Sequence, residues 1–280
     1  MNKMRVSIYE FLICLSNSQD LIEPRLTNHH QQVAYLTYNL CDVMGLSVEE
    51  KKEAVTAALI HDIGALSSSE KLEILEQEPI TVNSHAFKGA KLIEGFAPLK
   101  NASEIIRYHH IPWQNGDGLV YKDKEVPFSS HVLNISDKVS FMLYKSPDVL
   151  LKIPKIIDII KKGAGALFSH DLVEALGYLA EKEYIWLDLV SQSPIEKIAD
   201  IGLNNMLPLS INEITEIAFI LSHIIDFRSI FTARHSAGVA VTAEKLASLI
   251  GFSPYDCQMM LIAGYLHDLG KLAISNSILE

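Results

Sequence analysis

Cysteine is scarce: Cys14, Cys41 and Cys257 are the only three in 280 residues, and no two form a CxxC pair. Each lies in an apolar, helix-like stretch and reads as a buried thiol rather than a ligand or half of a disulfide, which fits a reducing cytoplasm. No run of about 18 apolar residues occurs, so no segment reads as a membrane-spanning helix. The opening "MNKMRVSIYEFLICLSNSQD" has only a short apolar run and no small-residue cleavage site, which argues against a signal peptide. A dense block of lysine and arginine is also missing. With 24 Lys+Arg against 34 Asp+Glu the formal charge is −10, which disfavours a nucleic-acid duplex as partner. A small phosphate ligand stays open, because bound metal supplies local positive charge. Alternating strands are lacking too; "GDGLVYKDKEVPFSS" (116–130) reads as a loop with room for a short hairpin.

What is present is helical. Hydrophobic residues make up 49% and charged residues 21%, enough for a sizeable core, and the length suits one large domain or two. In "HHQQVAYLTYNLCDVMG", Val33, Leu36, Leu40 and Val43 recur at helical spacing and Gly45 ends the pattern. "SVEE" offers Ser47 as N-cap with Glu50 three residues on, opening a helix that runs to His61, with Gly64 as its stop. "SINE" (210–213) repeats the capping box, and Ser253 precedes Pro254 at a first helical position. An all-α fold follows.

An internal repeat organises the chain. His29 precedes the pair His61-Asp62 by 32 positions (61 − 29), and His235 precedes His267-Asp268 by the same 32 (267 − 235). Val33 and Val239 each sit four residues after the lead histidine, and Gly45 and Gly251 sixteen after it, an offset of 206 throughout. A boundary near "VSQSPIEK" (190–197) divides a first domain, 1–195 with its N-terminal helix, from a connecting helix and a shortened second copy, 196–280.

Seven of the eleven histidines fall between 29 and 131. His29, His61, His85, His109 and His110, with Asp62 and Asp137, exceed the needs of one ion and suit a dinuclear centre of borderline metals, Fe, Mn, Co, Ni or Zn rather than Ca or Mg. His61 and Asp62 point about 100° apart on a helix, so the aspartate can span two ions while its neighbour caps one. His109-His110 ends "ASEIIRYHH" before Pro112, and helix ends turned to a common centre are how bundles assemble metal sites. His30, His131 and His170 read as structural, and His223 as part of the connecting helix without a role.

The set resembles the HD superfamily of metal-dependent phosphohydrolases, specifically its HD-GYP branch. The landmarks are "HHQQVAYL", "AALIHDIGAL", "SHAFKGAKLI", "IIRYHHIPWQNGDG" and "VLNISDKV", followed by "GALFSHDLVEALGYLAEKEYIWLDL", similar to that family's closing helices. The resemblance implies one ion on His29, His61, Asp62 and Asp137 and another on His85, His109 and His110, with Asp62 bridging. It implies iron or manganese, and a hydroxide between the ions that attacks a phosphodiester, typically of cyclic di-GMP. Some members hold a third ion through a glutamate four residues before the lead histidine; that position is Arg25 here, so two ions are expected.

Departures concern the substrate. The family's HDIGK lysine is Ala65, the GYP loop reads "GDGLVYKD", and an arginine expected after the metal aspartate is missing from "DKVSFMLYKSPD", where Lys138 or Lys145 is the nearest substitute. Each lost buried cation weakens transition-state binding by roughly 2–4 kcal/mol. The second copy keeps His235, His267, Asp268 and Lys271 but no later ligands, so no catalysis is expected from 235–280. Its apolar helices are expected to pack on the first domain or on a second copy of the chain, as in a homodimer. Two functions follow: a phosphodiesterase of cyclic di-GMP or a related nucleotide, or a degenerate metal-bound regulatory or sensory domain in a signalling protein.

Overall fold

The computed structural model describes residues 4–22, 28–65, 83–143, 148–198, 202–203, 206–226 and 235–273. A short strand, β1 (Met4–Ser7), leads into α1 (Ile8–Ile22), α2 (His29–Val43) and α3 (Val48–Ile60). Then come α4 (Asn83–Ile93), α5 (Lys100–Tyr108), a hairpin of β2 (Val120–Tyr121) and β3 (Lys124–Glu125), and α6 (Phe128–Leu143). Helices α7 (Val149–Lys162), α8 (His170–Ala180) and α9 (Glu183–Leu189) close the first unit. Strand β4 (Met206–Leu209) opens the second, followed by α10 (Ile211–Asp226), α11 (His235–Leu249) and α12 (Pro254–Leu266). The all-α expectation holds. Among the described residues no helix is long and apolar enough to cross a membrane.

Local chemistry explains the helix boundaries. Ser47 accepts from the Glu50 N–H while the Glu50 carboxylate accepts from the Ser47 N–H, a full capping box on α3. Ser210 and Glu213 do the same for α10, and Ser253 caps α12 with Pro254 behind it. Each such cap stabilises its helix by about 1 kcal/mol. Gly45 and Gly251 both adopt positive φ, +72° and +88°, where a side chain would be strained, so the repeat's shared glycines end α2 and α11 in the same way.

The first unit's core lies on both sides of α2. Val33 and Ala34 face a cluster built from α1, α3, α5 and α10, while Tyr35, Leu36, Leu40 and Cys41 face one built from α6, α7, α8 and α9. A helix buried on two sides is held in place by both layers, which suits one that begins with a site residue, His29. Cys14 departs from expectation: it lies on the outward side of α1 and is exposed, whereas Cys41 and Cys257 are buried. Leu12 and Leu15 of α1 supply the buried stripe instead, and position 14 falls off it.

The repeat extends further than the histidine spacing suggests. Ser7 accepts from the Glu10 N–H in "SIYE", as Ser210 does in "SINE", 203 residues later (210 − 7). Strands β1 and β4 precede these caps and pair with each other antiparallel, with Arg5 facing Pro208, its own counterpart at the same offset. A strand that pairs with its equivalent in this way marks a local two-fold relation between the two units. Ile217, Ile220, Leu221 and Ile224 of α10 join the first unit's core, as do Ile195, Leu203 and Leu209 ahead of it.

The second unit's helices pack more thinly. Their core holds Ile211, Ala218, Ala240, Ile262 and Tyr265. Val241, Leu246, Leu249 and Ile250 are exposed, yet their counterparts 206 residues earlier, Tyr35, Leu40, Val43 and Met44, pack on the α6–α9 side of the first unit. Close approach of α11 and α12 depends on Gly264, where an added Cβ would stand 2.3 Å from Ala240 Cα. Gly264→Ala is expected to cost about 1–3 kcal/mol by overpacking. Urea titration followed by circular dichroism checks this, and an unchanged midpoint would contradict the close approach.

Candidate metal centre

Four helix ends and one helix side meet at one place. His29 is the first residue of α2, behind Asn28 in a left-handed conformation (φ 64°). His61 is the C-cap of α3, an apolar helix buried from Ala54 to Ile60, and Asp62 follows in the next turn. His85 lies in the first turn of α4 and His109 is the C-cap of α5, with His110 next to it. Asp137 projects from the middle of α6. Gly64 allows the convergence: a Cβ there would stand 2.0 Å from the His85 carbonyl oxygen and 2.4 Å from the Gly89 nitrogen. It was expected as a helix stop; its stronger role is this backbone contact between the turn after α3 and α4.

All seven residues singled out in the sequence come together. His29 Nε2 lies 3.2 Å and His61 Nε2 3.6 Å from Asp137 Oδ1. On the other side His110 Nε2 lies 3.1 Å from His85 Nε2, and the His109 ring stacks beside His110 with centroids 3.9 Å apart. Each triad, His29–His61–Asp137 and His85–His109–His110, has its ligand atoms within 4.8 Å of one another. Asp62 stands between them, with Oδ2 3.6 Å from His61 Nε2 and Oδ1 3.3 Å from His85 Nε2.

Backbone carbonyls set the ring orientations. His61 Nδ1 donates to the Ala58 carbonyl at 2.9 Å and His109 Nδ1 to that of Ile106 at 2.7 Å. A carbonyl only accepts, so both rings carry a proton on Nδ1 and present Nε2 to the centre. These acceptors belong to the last helical turns, where carbonyls run out of i+4 donors, and Ile106 also takes the His109 N–H at 3.4 Å; the ring bond thus both helps cap the helix and aims the ring.

Burial pushes His109 well below its usual pKa, reinforced by His110, His61 and His85, so it is neutral. Burial and the neighbouring His85 likewise lower His110, to about 4. Burial opposes charge on His61 as well, but Asp62 and Asp137 outweigh it and hold its pKa up at about 9. Burial would raise both carboxyls; His61 and His85 instead hold Asp62, and His29 and His61 hold Asp137, well below the usual range.

Two ionised carboxylates beside imidazoles that include the neutral His109 and His110 are a donor set for divalent cations of the borderline kind. Nε2 of His109 is buried with no hydrogen-bond partner among the described residues, which costs about 1–3 kcal/mol unless a cation takes its lone pair; Nε2 of His61, also without a hydrogen bond there, lies 3.6 Å from both Asp62 and Asp137. The residues present therefore fit metal.

His30, read from the sequence as structural, is wholly buried and lies outside both triads, with its ring 5.4 Å from His29 and 5.2 Å from His61, and its field helps keep Asp62 ionised. His131, read as structural, is buried against Trp113 with ring centroids 5.1 Å apart. Lys138 follows Asp137 on α6 and is half-buried, which lowers its pKa, while Lys145 and Arg25 lie outside the described residues. In the second copy His235, His267 and Asp268 also cluster, and His267 Nδ1 donates to the Gly264 carbonyl at 2.8 Å as His61 does to Ala58. This cluster is open to solvent, and Lys271 Nζ lies 2.6 Å from Asp268 Oδ2.

Residues 26–159, which hold all seven site residues, match the HD domain family. Over 98% of its length the chain is 27% identical to the 3'3'-cGAMP-specific phosphodiesterase 1 of Vibrio cholerae serotype O1, covering 66% of that protein. It is 29% identical to a cyclic di-GMP phosphodiesterase of Thermotoga maritima, over 63% of this chain and 49% of that one. The chain thus spans two thirds or less of the length of these relatives. The crystal structure of a cyclic GMP-AMP-specific phosphodiesterase of V. cholerae has the same fold, with a TM-score of 0.71 at 20% identity over 99% of this chain and 73% of that chain.

The proton on His61 makes two measurable demands. Its folded-state pKa is raised from 6.5 to about 9, so its contribution to metal-free stability is full below about pH 6.5 and is lost as pH rises through about 9. Nε2 must shed that proton to bind metal, so affinity of the stripped protein is expected to rise with pH and level off above about 9. Calorimetry at neutral pH in buffers of different ionisation heat reads the released proton; no buffer dependence would mean that His61 starts neutral. Separately, Gly64→Ala is expected to lower the thermal midpoint and to weaken metal uptake, checked by melting and elemental analysis.

Proposed function

We propose that the first unit, residues 1–195, is a metal-dependent phosphodiesterase of cyclic dinucleotides, of HD-GYP type, and that 196–280 form a connecting helix and a second HD-like unit. The observation that carries this reading is Asp62, whose two oxygens face two separate triads. His29, His61 and Asp137 would hold one divalent ion and His85, His109 and His110 the other, with Asp62 shared; iron or manganese suits the donors best. When bound, such a pair supplies Lewis-acid charge for the phosphate and lowers the pKa of water.

The chain's own residues do the rest. Asp62 and Asp137 stay ionised and balance cation charge, while the Nδ1–H bonds of His61 and His109 keep Nε2 aimed inward. Burial of His61, Asp62, His85 and His109 keeps bulk water from competing. Lys138 is the nearest described cation to Asp137 in sequence and is our candidate for a phosphate contact, with Lys145 as a second. The relatives named for cyclic dinucleotides support that substrate class, and the acidic balance of −10 speaks against nucleic-acid duplexes. Cys14, Cys41 and Cys257 form no disulfide, which fits the cytoplasm.

One observation favours a regulatory role without turnover. Ala65 is buried where the second copy has Lys271, so position 65 offers no ammonium to Asp62. The two readings separate by assay. Protein loaded with Mn or Fe is expected to open cyclic di-GMP or 3'3'-cGAMP to the linear dinucleotide. Asp62→Ala is expected to lower the rate at least about a hundredfold, the scale of several kcal/mol of lost charge stabilisation. Two bound ions with no turnover of either compound would favour the regulatory domain.

A further inference from the structure

His29 differs from the other ring donors in how its orientation is set. It is the first residue of α2, so it has no preceding helical turn to offer a carbonyl, the device that serves His61 and His109. Its Nδ1 lies 3.2 Å from Ser140 Oγ instead, and Ser140 Oγ lies 3.1 Å from Gln32 Oε1. Gln32 stands one turn after His29 on α2, and Ser140 one turn after Asp137 on α6. Positions three apart share a helix face. The metal ligands of two facing helices are thus interlocked by a second pair of side chains one turn along.

We propose that Ser140 and Gln32 are positioning residues that fix the tautomer of His29, a step that rests on the metal-binding reading of the site. A serine hydroxyl has one proton. With the Gln32 carbonyl oxygen taking it, Ser140 has only lone pairs left for His29, so His29 must donate from Nδ1. Nε2 is then the atom left for an ion once its own proton is shed, and it faces Asp137 Oδ1 at 3.2 Å, inside its triad. Were Gln32 to offer its amide N–H₂ instead, Ser140 would donate to Nδ1 and His29 would carry its proton on Nε2, unable to ligate. The acceptor end of Gln32 therefore decides, through one hydroxyl, whether the first ion can bind. The second unit has no such relay: the position equivalent to Gln32 is Gly238 (238 − 206), which has no side chain.

The test measures tautomer and metal affinity, not turnover. In the metal-free protein, long-range ¹⁵N–¹H correlation is expected to show a proton on His29 Nδ1, whatever Nε2 carries toward Asp137. Ser140→Ala is expected to weaken one of two manganese sites by about 10- to 100-fold and leave the other unchanged, since His85, His109 and His110 keep their orientation; losses of this size accompany removal of such outer partners. Ser140→Thr keeps the hydroxyl and Gln32→Glu keeps an acceptor, so both should retain affinity, while Gln32→Leu should follow Ser140→Ala. A His29 without a proton on Nδ1, or a Ser140→Ala protein that binds both ions like the parent, overturns the relay. A parent protein that takes no metal would overturn the metal-binding reading itself, and the tautomer would still decide the relay.

Discussion

A buried carboxylate needs a positive partner on every side it presents, and Asp62 presents two. One oxygen faces His61 and the other His85, in a pocket from which water is largely excluded. Without cations the nearest compensation is the His61 proton, which is why that ring holds it to about pH 9 against its own burial. Much of the first unit can be seen as what is required to hold that carboxylate in place: two core layers gripping α2, an apolar α3 delivering the turn, and a glycine where α4 must come close.

The repeat shows how the same local design reaches different ends. Both copies cap their second HD helix with serine, end the first with a glycine at positive φ, and orient the HD histidine by a bond to the carbonyl three residues back. They diverge at the carboxylate. In the second copy Lys271 lies against Asp268, and the cluster is solvated, so the carboxylate's charge is compensated by an ammonium and by water rather than by a metal ion. In the first, position 65 is alanine, and the balance is left to imidazoles. The antiparallel ribbon of β1 and β4 then joins the copies about a local two-fold relation, and α10 completes a core that α1 and α3 begin.

Much of this was readable in the chain. The seven ligand candidates, the capping boxes at Ser47 and Ser210, and the helical class all rest on spacing, because a helix repeats every few residues whatever surrounds it. Other features were not readable for definite reasons. "SIYE" opens the chain without a run of polar residues to flag a boundary, so its kinship with "SINE" became clear only once β1 and β4 paired. Cys14 sits among apolar residues, and only the packing of Leu12 and Leu15 decided which side of α1 faces out.

By itself the sequence determined which side chains can meet a cation and on which helix ends they ride, since residue type and helical spacing are local properties. Only the tertiary structure decided that Asp62 divides its oxygens between two triads, that Gly64 is needed for contact rather than for ending a helix, and that Ser140 reaches His29 across 111 residues. Those outcomes depend on distances between elements far apart in the chain, set by how two apolar layers close around α2.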